Sequence, residues 1–284
     1  IENNVVSHSR CSGITLGKYG DQWDNRCQSA EGYIGTIHRA LENGWNRETI
    51  GHHLVRNNVV SDCEQAGICG SMGAAYSQII GNHIHHIWFR RDFKGAEMGG
   101  IKIHAAIDML IKNNRVHHAG RGIWMDWMAQ GTRISGNLCH DNFVQDFFME
   151  VNNGPFLLDN NIALSDISVL DVSQGGAYAH NLMTGIIISQ PDGRETPFHK
   201  PHATELAGFA EIKGGDSRFF NNIYVGIGEK PIENAPLWGK DRYSIGYGSW
   251  VYDKREYPSQ ACGNLYFHGA KPYANEAKPA VFGD

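Results

Sequence analysis

An all-β chain wound as a right-handed parallel β-helix, with loop and short-helix insertions, is the fold that three features of this sequence predict. An apolar residue, a short polar pair ending in Asn and another apolar residue recur almost end to end. The motif repeats every 20 to 24 residues where nothing interrupts it, and its strands are β-branched or aromatic, punctuated by Gly and Asn. Such a unit cannot bury its apolar face alone, so coils stack and each pairs with the next. The recurring residue is Asn4, Asn58, Asn82, Asn114, Asn137, Asn161, Asn181, Asn222 and Asn264; between Asn114, Asn137, Asn161 and Asn181 the steps are 23, 24 and 20. Leucine-rich repeats share this period but not its leucine spacing. The stacked Asn reads as structural, because Asn tolerates left-handed backbone and its amide can bond to the same amide one coil away.

Residues 1–284 read as one β-helix domain with a helical insertion at 18–50. Helical spacing predicts a short helix over 31–43 (EGYIGTIHRALEN), with Gly44 as its stop signal. Two more segments leave the register: 89–98 (FRRDFKGAEM), and 190–215, which is expected to be a loop holding TPFHKPH. Ile1 opens inside a repeat unit, which predicts that an upstream region, a second copy or a partner chain covers the unpaired edge of the first coil.

With 41% hydrophobic and 19% charged residues the chain is too apolar for disorder. A net charge of −5 without any basic run excludes a nucleic-acid footprint, and no apolar run approaches the length of a membrane-spanning helix. The six cysteines, Cys11, Cys27, Cys63, Cys69, Cys139 and Cys262, show no zinc spacing and are expected to be small buried side chains. No cofactor or metal is predicted.

A second strand follows the register Asn by about nine residues, as GIWMD (122–126) and DFFME (146–150), and by about twice that as GIKIH (100–104), where 89–98 lengthens the coil. Alternation along a strand sends Ile101, Ile103, Ile123, Met125, Phe147 and Met149 to the core. Lys102, His104, Trp124, Asp126, Phe148 and Glu150 then share the outer face. Coils stack about 4.7–4.9 Å apart, so His104, Asp126 and Glu150 should form one column beside a column of Lys102, Trp124 and Phe148. Adjacent coils would hold the two carboxyls near 5–5.5 Å, the spacing of a retaining glycosidase. Stacked acids repel unless the arrangement is rewarded, and aromatic faces beside carboxylates suit a sugar ring. Lys102 and His104 lie nearer Asp126, which predicts Asp126 as nucleophile and Glu150, beside Phe148, as acid/base.

At these residues the sequence resembles the β-xylosidases of glycoside hydrolase family 120. The matching stretches are AEMGGIKIHAAID (96–108), RGIWMDWMAQGTR (121–133) and FFMEVNNGPFLLDNN (147–161), supported by SQGGAYAHN (173–181) and TPFHKPHATELAG (196–208). The resemblance implies a right-handed parallel β-helix and retaining hydrolysis of xylo-oligosaccharides. By position it puts the nucleophile on Asp126 and the acid/base on Glu150, and it implies substrate contacts at Glu97 and Lys102. Ala96 departs from the larger polar residue expected there. Family members are also about twice as long and carry a β-sandwich for which no segment is found here. His199 and His202, in a Pro-bounded loop, are further candidates for substrate binding, and Asp21, Trp23 and Asp24 for the rim of the site.

The rival enzyme is a β-helix polysaccharide lyase, with Lys102 as base; an inverting polygalacturonase-like hydrolase lacks its stacked aspartates and Gly-His-Gly turn here. The non-enzymatic rival is a carbohydrate-binding β-helix.

Overall fold

The computed structural model describes residues 1–17, 30–94, 97–228 and 244–283. Their strands form a right-handed parallel β-helix with three long sheets of ten, eight and eight strands. Nearly every pairing joins one coil to the next, which turns sequence offset directly into vertical stacking. Inside, aliphatic and aromatic columns fill the helix: Ile84, Val116 and Cys139 stand in register on one sheet, and Ile103, Met125 and Met149 on another. Among the described residues the one long helix, α1 (Ala30–Glu42), lies within a residue of its expected span and ends before Gly44, whose φ of 89° is open to glycine without strain.

The register asparagines form one continuous ladder. Each Oδ1 accepts both the backbone N–H and the Nδ2 of the Asn one coil earlier, as at Asn137, which receives Asn114 N at 2.9 Å and Asn114 Nδ2 at 3.0 Å. The same pattern runs from Asn4 to Asn264. The left-handed backbone expected at these residues belongs instead to the residue before each: Asn3, Asn57, Gly81, Asn113, Gly136, Asn160, His180, Asn221 and Gly263 all have φ between 55° and 71°. That residue turns the corner, and the ladder Asn points inward to satisfy the backbone the turn exposes. Glu276 closes the ladder, taking Asn264 Nδ2 at 2.7 Å.

Two other expectations change. Cys63 and Cys139 are buried, but Cys11 is exposed, bonded to Gln65 Oε1, and Cys69 and Cys262 are half-buried, because these lie on outward strand positions; Cys27 lies outside the described residues. Residues 190–215 are not a loop but an antiparallel hairpin, with strands Asp192–His199 and Leu206–Ile212 paired at Thr196↔Ala210 and Phe198↔Gly208. A two-stranded ribbon has only edges, so Pro197 removes no central ladder bond. The outer face of the second sheet is covered: Ile37 and Ala40 of α1, with Trp45, Trp124, Trp127, Phe148 and Ile212, make a second apolar cluster upon it. Among the described residues the first-coil strand Val5–Ser7 pairs on one side only, with Val59–Cys63, and Val5 is 77% exposed.

Candidate active site

Three neighbouring strands of the second sheet carry the site: β1 (Gly99–His104), β2 (Ile123–Asp126) and β3 (Phe147–Glu150). Their register pairs Asp126 with both His104 and Glu150, and Trp124 with both Lys102 and Phe148, so the two expected columns are present. Each column residue that ends its strand precedes a left-handed turn, at Ala105, Trp127 and Val151, with φ of 52°, 37° and 47°. Such a conformation in Trp and in β-branched Val costs free energy that the surrounding packing must supply, and strained backbone of this kind concentrates at functional sites.

Asp126 is 4% exposed and has two unlike oxygens. Its Oδ2 accepts Lys102 Nζ at 2.9 Å and lies 2.8 Å from His104 Nε2, whereas Oδ1 is buried with no hydrogen-bond partner among the described residues. Burial would raise this carboxyl, but His104 and Lys102 together outweigh it and hold Asp126 below the usual carboxylate range. Glu150 stands in the opposite situation. Burial first, and then the charge of Asp126, push its carboxyl up to about 7, against the pull of Arg194 and Lys102. Its Oε2 accepts Trp124 Nε1 at 3.0 Å and its Oε1 accepts Arg194 at 3.2 Å.

Glu97 closes an ion pair on Lys102, so this ammonium lies between two carboxylates. Burial disfavours its charge, but Asp126 and Glu97 overcome that and raise Lys102 above its ordinary value. Glu97, His104 and Asp126 each offer one ligand atom within 4.8 Å of the others, a cluster that sequence reading did not find. Lys102 already supplies the positive charge there, and a metal ion would have to displace it.

Trp124 and Phe148 stack on each other with centroids 5.2 Å apart and are 5% and 7% exposed, so they brace the site from beneath instead of offering open faces to a sugar. Trp127, 6% exposed, belongs to the same cover, edge-on to Tyr33 of α1 and with the Arg194 guanidinium 5.7 Å from its centroid. The hairpin histidines do not reach the carboxylates. His199 is buried against Trp45 and bonds to Thr204 O, and His202 is exposed and pairs with Asp108. From the same hairpin it is Arg194, steadied by Asp192, that meets Glu150. Arg121, half-buried over the Trp124 ring at 4.7 Å, is a second cation that sequence reasoning passed over. Ala96, Asp21, Trp23 and Asp24 lie outside the described residues.

A chain whose coils build this one-sided, buried carboxylate site belongs to the right-handed β-helix family, whose model matches residues 1–190. A solved complex of XylC with xylose is similar to it at 36% identity and a TM-score of 0.86, over 99% of this chain and 47% of that one. The likeness to the xylosidases of glycoside hydrolase family 120 read from the sequence is thereby supported. The chain spans about half the length of XylC. No curated protein matches it.

Proposed function

We propose that the chain is a retaining glycoside hydrolase acting on xylo-oligosaccharides as a β-xylosidase, with Asp126 as nucleophile and Glu150 as acid/base. The observation that carries this reading is the split between two carboxyls on adjacent coils, one held ionised by Lys102 and His104 and the other raised to about 7. Asp126 Oδ1, free of hydrogen bonds, attacks the anomeric carbon, while Glu150 gives its proton to the departing oxygen. Glu150, now ionised and steadied by Arg194 and Trp124, then takes a proton from the water that opens the glycosyl-enzyme. Similarity to XylC, solved with xylose, supports the choice of sugar.

The lyase reading is disfavoured because a base must shed its proton, and Lys102 is held charged between Glu97 and Asp126. Proton NMR of an aryl β-xyloside digest tests the proposal: β-xylose should appear first and mutarotate later, and an unsaturated product absorbing in the ultraviolet would instead mean elimination.

The rate should also follow the protonation of Glu150. The acid must carry its proton in the first step, so kcat/KM for an unactivated xyloside is expected to fall as pH rises through about 7. The Arg194 charge favours ionised Glu150, so Arg194→Ala should move that limb to higher pH, and Glu150→Gln should abolish it. An unmoved limb in Arg194→Ala would assign it to another group.

A further inference from the structure

Away from the carboxylates, the ten-stranded sheet carries a ladder of paired side chains that the proposed hydrolysis does not use. Four successive coils each present an outward strand residue followed by a left-handed corner residue: Ser61 and Asp62, His85 and His86, His117 and His118, His140 and Asp141. In every row the two side chains bond to each other. Ser61 Oγ donates to Asp62 at 2.6 Å, and His140 Nδ1 meets Asp141 Oδ2 at 2.6 Å. In the two middle rows imidazole faces imidazole, Nδ1 to Nδ1, at 2.7 Å in both. The rings also stack between rows, His85 on His117, His117 on His140 and His86 on His118, with interplanar angles of 10° to 12°.

The outer and middle rows differ in charge. In the outer rows a carboxylate accepts the shared proton. In the middle rows no carboxylate takes part: a hydrogen bond between the two Nδ1 atoms needs an N–H on one ring and a lone pair on the other. In both middle rows the two Nδ1 atoms point at each other, the arrangement in which two imidazoles can grip one ion. His140 is excluded as a ligand, because Arg115 Nε donates to its Nε2 at 3.1 Å while its Nδ1 serves Asp141.

We propose that the pairs His85/His86 and His117/His118 form a chelating site for one divalent transition-metal ion of tetragonal preference, copper(II) or nickel(II). The ion takes the place of the hydrogen between the two Nδ1 atoms of a pair, the ring that carried it becoming its Nε2–H tautomer so that both bind as neutral imidazoles, and Asp62 and Asp141 at the two ends of the ladder offset the charge of the ion. The nitrogen spacing selects the metal. Metal–nitrogen bonds of about 2.0–2.1 Å set two ligands roughly 2.9 Å apart at a right angle but roughly 3.3–3.4 Å apart at a tetrahedral one. Pairs at 2.7 Å therefore need little opening for a square site, once each ring turns its lone pair toward the ion, and considerably more for zinc. Two dications one coil apart would repel, which limits the ladder to one ion.

Titration calorimetry and electron paramagnetic resonance of the untagged chain with copper(II) chloride test this. One ion per chain should bind, with hyperfine structure from two nitrogens; the Glu97, His104 and Asp126 cluster would show one. His86→Gln or His118→Gln alone should weaken binding by about twofold, since one pair survives. His86→Gln/His118→Gln together should weaken it at least tenfold, and His8→Ala, an exposed histidine off the ladder, should leave it unchanged. Glutamine keeps a hydrogen-bonding side chain, and an unaltered melting temperature without metal would separate lost ligands from lost fold. Undiminished binding by the double variant, no binding by the parent chain, or a one-nitrogen spectrum would overturn the proposal.

Discussion

Asp126→Ala is expected to abolish turnover of every xyloside, lowering kcat by about 10⁴-fold or more whatever the leaving group, because no glycosyl-enzyme can form without its carboxylate. Glu150→Ala should behave differently. A nitrophenolate departs without a proton, so activated substrates should lose little in the first step, while xylo-oligosaccharides should lose on the order of 10²–10⁴. Azide added to Glu150→Ala should restore turnover and yield β-xylosyl azide, as the anion enters from the face that Glu150 serves. Rescue confined to Asp126→Ala, or an α-azide, would exchange the two roles or replace retention by inversion. Lys102 and His104 sharpen the contrast, since both bond to the Asp126 oxygen that is not the attacking one.

The second large effect concerns the fold. Asn137 lies mid-ladder and fully enclosed, receiving two bonds from Asn114 and giving its Nδ2 to Asn161 Oδ1 and Ile111 O. Asn137→Ala leaves two donors of Asn114, its backbone N–H and one Nδ2 hydrogen, without partners in a place water does not reach. Each such group costs about 1–3 kcal/mol, and with partial relaxation the loss should be roughly 3–5 kcal/mol. Asn4→Ala, at the exposed first coil, should cost under about 1 kcal/mol. Urea unfolding of both variants measures the difference; equal losses would mean that the ladder contributes little beyond its backbone pairing.

What could be read from the sequence follows from how a solenoid translates it. One residue per coil fixes one stacked column, so the strand ending in Asp126 could be set beside that ending in Glu150 by counting from Asn114 and Asn137, and beside that ending in His104 once the 89–98 insertion is allowed for. Burial of that face could not be read in the same way. The cover comes from α1 and the hairpin, which leave the repeat and return through contacts of long sequence separation. Arg194 meets Glu150 across 44 positions, with no period to announce it. The hairpin itself was hidden because DGRETPFH, charged and holding a proline, lacks the apolar alternation of a buried strand. The corner residues were misassigned by one place, since Asn-Asn pairs such as 57–58 and 113–114 do not reveal which member turns left.

Because the coils are evenly stacked, the site measures length in whole steps. Two carboxyls can stand one step apart, near the 5–5.5 Å that suits direct attack on the anomeric carbon, or two steps apart, at about twice the inter-coil distance and near the upper end of the 6.5–9.5 Å that admits a water. In the next coil the position in register with Glu150 is Val172. Moving the acid from 150 to 172 would leave Asp126 in place and change only the gap between them. On this scaffold the stereochemistry of the product is a matter of counting, and one coil separates the two outcomes.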